Sequence, residues 1–200
     1  MNLSLNLQRL LFAIAMLAIW QLSSGTIIDE FFISSPAVVG AKLWAQMVDG
    51  SLFYHTSITL AEAVGGFILG GACGIAFGLL LGRVRKLADL LDPFIMGFYS
   101  LPKVALAPLF VLWFGIGMDM KIILVAVIVF LLVFLNTFTG VRNVSREQIT
   151  ILRLMGANEL DIMRKVILPS AITWVFAGLR LSVPYALTGA IIGEIIGSNR

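Results

Sequence analysis

Four ionisable residues, Glu62, Lys103, Arg180 and Glu194, stand inside or beside long apolar runs. A charge at the centre of a bilayer costs from about 2.5 kcal/mol upward, which makes each a candidate for handling a solute. A plainer role competes, because each stands near the end of a run. From there Lys103 and Arg180 can reach the cytoplasmic face, and Glu62 and Glu194 the outer one. No oppositely charged pair stands out among them. Pro102 and Pro108 lie on either side of Lys103, and a kink there would shape a pathway or serve plain helix packing. Glu62, Pro102, Lys103, Pro108 and Glu194 are therefore the candidates for a translocation pathway. His55 is the only histidine and lacks partners for a metal site, so it is expected to pack at an interface. The single cysteine, Cys73, allows no internal disulfide and is expected to be a small buried hydrophobe. No lysine follows a glycine anywhere, so the chain carries no phosphate-binding loop, and there is no HExxH or serine-nucleophile elbow. No catalytic residue, metal or cofactor of its own is predicted, and any energy source must lie on another chain.

The elements that position these residues are set by composition. Hydrophobic residues make up 60% of the 200 and charged ones 12%, about half the charge of an ordinary globular domain. This is the composition of an all-α polytopic membrane protein, in which a span needs about 20 apolar residues. Four runs qualify, at 10–28, 57–82, 122–140 and 181–197. A fifth, 93–118, has an uncertain start because it contains Pro102, Lys103 and Pro108. The first run also has features of a signal peptide, an apolar core after Arg9 followed by Ser23, Ser24 and Gly25.

The second run carries Gly66, Gly70, Gly74, Gly78 and Gly82 at every fourth position. Each would cost a water-soluble helix roughly 1 kcal/mol against alanine. In lipid, where nothing hydrophobic drives helices together, glycines so spaced form a groove that lets a neighbouring backbone approach. These five are read as helix-packing positions.

The net charge of +3 comes from 14 basic and 11 acidic residues, with the basic ones in short gaps between runs rather than on one face, so topology explains them better than nucleic acid does. A cytoplasmic N-terminus puts Arg9, Arg83, Arg85, Lys86, Arg142, Arg146, Arg153, Arg164 and Lys165 inside and leaves Lys42, Lys121 and Arg200 outside, as the positive-inside rule requires.

Two gaps have structure of their own. Ser35 before Pro36 reads as the start of an interfacial helix that ends at Asp49 and Gly50. The gap 142–169 offers Ser145 and Gln148 as a capping box, then a helix that stops at Gly156. A second helix, capped by Asn158, has Glu159 and Asp161 in its first turn and Arg164 and Lys165 in its last, and should end at Pro169. These two helices carry more apolar surface than a free loop should. They need a partner, although part of that surface could rest on the membrane.

This gap resembles the EAA loop of permease subunits from binding-protein-dependent ABC importers. Gly156, Ala157, Leu168 and Pro169 match the frame of that signature, while Thr150, Ile151 and Leu152 replace its name-giving triplet. The segments "SSPAVVGAKLW", "GLLLGRVRKLADLLDPF" and "LPKVALAPLFVLWFGIG" resemble the nitrate, sulfonate, taurine and bicarbonate branch, and the likeness covers roughly 31–200. It implies a single permease domain over 1–200 in the bacterial inner membrane, with six spans in the family and about five here. Relatives continue beyond the "GEIIGSNR" end, which implies a chain lacking the last span. Further implications are a second permease copy, a cytoplasmic ATPase holding ATP and magnesium and docked on the coupling loop, and an external substrate-binding protein. The solute would be small, anionic or organic. The rival is a self-contained secondary transporter or channel, which should show intramembrane charged pairs or inverted repeats. A structural anchor for another complex is a third reading.

Overall fold

The computed structural model describes residues 4–197, so Arg200, expected on the outer side, lies outside the described residues. The chain divides into two compact units, Met1–Thr56 and Ser57–Arg200.

In the first unit, helix α1 (Leu5–Ser23) buries no side chain. It ends earlier than the run 10–28, because the chain turns at Gly25, whose φ of 77° suits glycine. Polar clips hold the segment after this turn. The Trp20 indole donates to the Ser34 carbonyl at 2.7 Å, and the Ala37 amide donates to Gln21 Oε1 at 3.1 Å. Helix α2 (Pro36–Val48) starts as expected, with the Ser35 hydroxyl accepting from the Val38 amide, and closes at Asp49. The His55 ring packs edge-on against Tyr54, with centroids 5.4 Å apart.

Helix α3 (Ser51–Arg83) leads into the second unit, followed by α4 (Arg85–Ser100), a 3₁₀ turn (Lys103–Leu106), α5 (Ala107–Phe114) and α6 (Met118–Arg142). Then come α7 (Arg146–Leu154), α8 (Glu159–Ile162), a π turn (Met163–Ile167) and α9 (Leu168–Ile196). Among the described residues, four stretches are long and apolar enough to cross a bilayer: α1, α3, α6 and the continuous Glu159–Ile196. The fifth expected span is broken, since the segments Lys86–Ser100 and Lys103–Phe114 meet at 82°. Pro102 cannot donate a backbone hydrogen bond and bars its predecessor from helical geometry, so the helix stops before it.

Helix α6 is the axis of this unit. Of its most apolar window 56% is buried, against 28% for α3 and 22% for the Glu159–Ile196 stretch. Val125, Val129 and Val133 of α6 meet Ala63 of α3 and Ala186 and Ala190 of α9 in one apolar cluster. On another side Phe134 and Phe138 hold Ala88 of α4, and Met120, Leu124 and Ile128 hold Ala107 and Phe110 of α5.

The five spaced glycines all face α6. A methyl added at Gly66 would sit 2.8 Å from the Ile122 carbonyl oxygen, and at Gly74 3.0 Å from that of Phe130. At Gly78 it would lie 2.6 Å from Thr137 Cβ, at Gly82 2.8 Å from Val141 Cβ, and at Gly70 it would collide with the Ala126 carbonyl. Contact this close leaves no room for a side chain. Gly74→Leu is therefore expected to destabilise the protein in detergent by roughly 1–3 kcal/mol. Gly97, which has nothing within 4 Å of an added methyl, should tolerate alanine or gain from it. Equal thermal midpoints for Gly74→Leu and wild type would contradict this packing.

Candidate functional site

The segment 142–169 caps the Arg142 end of the bundle. Its underside is apolar: Ile162 and Ile167 are buried with Val141 of α6 and Ala171 of α9, and Ile149, Leu152, Ala157 and Met163 pack around them. The Ser145 hydroxyl accepts from the Gln148 amide at 3.4 Å and opens α7. That hydroxyl also donates to Glu147 and holds its carboxyl below the usual carboxylate range. At the other end of α7, Gly156 takes φ 82°. The Gly156 amide donates to the Arg153 carbonyl at 3.0 Å and the Ala157 amide to that of Leu152 at 2.9 Å. This is a Schellman closure, with Ala157 packed near Leu152 as its apolar contact. Asn158 and Asp161 then form a reciprocal capping box for α8.

Here the structure departs from one expectation. The helix after Asn158 does not end at Pro169; Leu168 and Pro169 open α9, and the π turn joins α8 to it. The Leu168 amide donates to the Met163 carbonyl five residues back, and the widened turn places Pro169 in the first turn of α9, where a missing N–H does no harm. Ion pairs tie the segment to the spans. Glu159 pairs with Arg83 at the end of α3 and with Arg153 at 3.0 Å, while Arg142 pairs with Asp89 of α4 at 2.7 Å. Leu154 and Met155, by contrast, are 84% and 76% exposed, with Ile151 and Leu160 exposed nearby.

At the opposite, Met118 end, the structure overturns a second expectation. Glu62 is fully buried and does not extend to a water face. Its Oε1 accepts from Lys121 Nζ at 3.0 Å. The charge pattern places Lys121 in an outer gap and gives no sign of this pairing, because the two residues are far apart in sequence and meet only when α3 packs on α6. A third helix joins them: Glu194 of α9 accepts from the Thr59 hydroxyl of α3 at 2.7 Å, and Gly193 lies against the Lys121 stem. Glu62 Oε2 is buried without a hydrogen-bond partner among the described residues.

Lys103 belongs to neither group. It sits in the break between α4 and α5, partly buried, its ammonium donating to the Tyr99 carbonyl at 2.9 Å and lying 4.5 Å above the Tyr99 ring. Pro102 accepts from the Ala105 amide at 2.9 Å, and Pro108 occupies the first turn of α5. Arg180 is exposed on α9.

The Ser57–Arg200 unit is thus a helical bundle with a break at Pro102, capped at its Arg142 end by a segment that turns at Gly156. The chain belongs to the family of binding-protein-dependent transport system inner membrane components, whose profile matches residues 74–200. It is 35% identical over 169 residues to a riboflavin transport system permease protein of Chloroflexus aurantiacus, covering 84% of this chain and 63% of that one. It is 32% identical over 191 residues to a Bacillus subtilis protein provisionally named an aliphatic sulfonates transport permease, covering 95% and 69%. Against the taurine transport system permease protein of Escherichia coli it is 27% identical over 186 residues, covering 90% and 68%. The chain thus spans about two thirds of the length of these relatives. A crystal structure of an amino acid ABC transporter with histidines shares the fold, with a TM-score of 0.52 and 19% identity over 74% of this chain and 75% of that one.

Proposed function

We propose that this chain is the membrane-spanning subunit of an ATP-driven importer and that the segment 142–169 is where a separate ATPase docks. The observation that carries the reading is the segment's two-sidedness. Its lower face is built into the bundle around Ile162 and Ile167, while Leu154 and Met155 project from a tight glycine closure with almost nothing covering them. Large apolar side chains held out on a rigid turn fit a protein partner. Family membership supplies the kind of partner: a nucleotide-hydrolysing subunit on the cytoplasmic side, with a binding protein delivering solute from the other side and a second permease copy completing the pathway. Gly156, Ala157, Leu168 and Pro169 are the coupling positions in this reading. The N-terminus is cytoplasmic, which puts Arg83, Arg142 and Arg153 on the side that retains basic residues.

The test is reconstitution of the permease with its ATPase and binding protein in proteoliposomes. Solute uptake should require ATP hydrolysis and all three components. Leu154→Asp or Met155→Asp should lower ATP-dependent uptake by roughly tenfold or more, since loss of one buried interface anchor costs about 2 kcal/mol. Uptake without nucleotide would favour a self-contained transporter instead.

A further inference from the structure

Three helices end on an arginine: Arg83 in the last turn of α3, Arg142 in that of α6 and Arg153 in that of α7. The negative end of each backbone dipole accounts for one cation apiece. It does not account for their meeting. All three line a single cavity of about 630 Å³ at the Arg142 end of the bundle, floored by Val141, Ile162 and Ile167 of the apolar cluster.

The charges in this cavity do not balance. Its lining supplies one carboxylate, Glu159, and that carboxylate pairs with Arg83 and Arg153 at once. Arg142 is answered from outside the lining, by Asp89 at 2.7 Å and Asp92 at 3.8 Å, both about half exposed on α4. Every hydrogen bond these guanidiniums make among the described residues leaves from Nη2. A guanidinium has five N–H donors, so most of them are uncommitted. The side chains of Arg83 and Arg142 are only 31% and 32% exposed, which withholds from those donors much of the water that would otherwise satisfy them. Both residues close helices long enough to cross a bilayer, and so stand at the level of lipid headgroups.

We propose that this cavity is a phosphate-binding site, filled by the headgroup of an anionic phospholipid or by a free phosphate, with the Arg83 and Arg142 guanidiniums as its principal donors. The planar fork of arginine matches two phosphate oxygens at once. Basic pockets between spans on the cytoplasmic side take phosphate headgroups for this reason. Only the cytoplasmic placement rests on the importer reading; the binding chemistry does not.

The test has two arms. Native mass spectrometry counts lipid retained by the protein from nanodiscs holding equal parts of phosphatidylglycerol and phosphatidylcholine, and equilibrium dialysis measures radiolabelled inorganic phosphate bound in phosphatidylcholine nanodiscs. Wild type should retain phosphatidylglycerol preferentially or bind inorganic phosphate; the first result alone assigns a lipid headgroup, the second alone a free anion. Arg83→Gln and Arg142→Gln should each bind the preferred ligand roughly tenfold to a hundredfold more weakly, the effect of losing a charge-assisted hydrogen bond. Arg142→Lys keeps the charge but not the fork and should fall between. Arg164→Gln, at an exposed cation of the same segment outside the cavity lining, should bind as wild type does. Binding of neither ligand by wild type, unchanged binding in both glutamine variants, or an equal loss in Arg164→Gln would overturn the site, the last by showing a diffuse charge effect. Should the glutamine variants prove unstable, the lysine variant and the lipid preference of wild type still decide. Neither arm involves ATP or uptake, so failure of the importer reading and failure of the phosphate site are distinguishable.

Discussion

Gly156→Val is expected to abolish ATP-driven uptake while the spans still insert and stay helical. At φ 82° an L-residue pays roughly 1–2 kcal/mol from contact between Cβ and its own carbonyl, and a β-branched one is a true outlier there. Relieving that strain means rotating the backbone out of the left-handed region. The two closing hydrogen bonds, from Gly156 to Arg153 and from Ala157 to Leu152, would then be lost. The crest formed by Leu154 and Met155 would turn away from its docking direction, although nothing in the bundle touches Gly156 directly. Uptake should fall tenfold or more, with far-UV circular dichroism and membrane yield unchanged. Gly156→Asn should retain much of the activity, because asparagine visits this backbone region most readily after glycine. Normal uptake by the valine variant would remove the coupling role from this turn.

The second large effect is expected at the buried ion pair. Lys121→Met leaves the Glu62 carboxylate, whose side chain is 1% exposed, with no paired cation among the described residues. Its Oε2 already lacks a partner, so the loss would be felt at both oxygens. Removing one member of a buried pair costs about 3–5 kcal/mol, whereas replacing both with uncharged groups of similar size is near neutral. Lys121→Met should therefore lower stability in detergent sharply, and the double variant Glu62→Gln with Lys121→Met should recover most of it. The cycle is read from unfolding midpoints of the two single variants, the double variant and wild type. A Lys121→Met protein as stable as wild type would mean that the pair does not hold α3 to α6.

Much of the bundle is visible in the sequence because lipid imposes simple rules. Apolar runs of about 20 residues locate α3 and α6, and the spacing from Gly66 to Gly82 announces a groove without naming its occupant. Ser35, Asn158 and Gly156 foretell caps through local chemistry that depends on only a few neighbours. The hidden features are long-range. Glu62 and Lys121 are 59 residues apart, and no local pattern marks their meeting. The available signal is Lys121 itself, a lone cation close to the start of an apolar run and a possible partner for a carboxylate in another. The continuation through Pro169 escapes sequence reasoning for a different reason. Proline reads as a stop, and only the backbone shows a widened turn that carries the helix past it. Lys103 stands out in the sequence, but its place against Tyr99 is fixed only by the break at Pro102, which sets where α5 begins.

The π turn has a mechanical consequence. Because it does not interrupt the helix, the stretch from Glu159 to Ile196 continues over 38 residues, a rod of about 57 Å. A partner pressing on the rim at Glu159 thus holds one end of a stiff spar whose other end carries Glu194. The surplus residue in the turn is a place along that spar where length and twist can be traded without snapping it, and Pro184, inside α9, is a second point where the ladder of hydrogen bonds is relaxed.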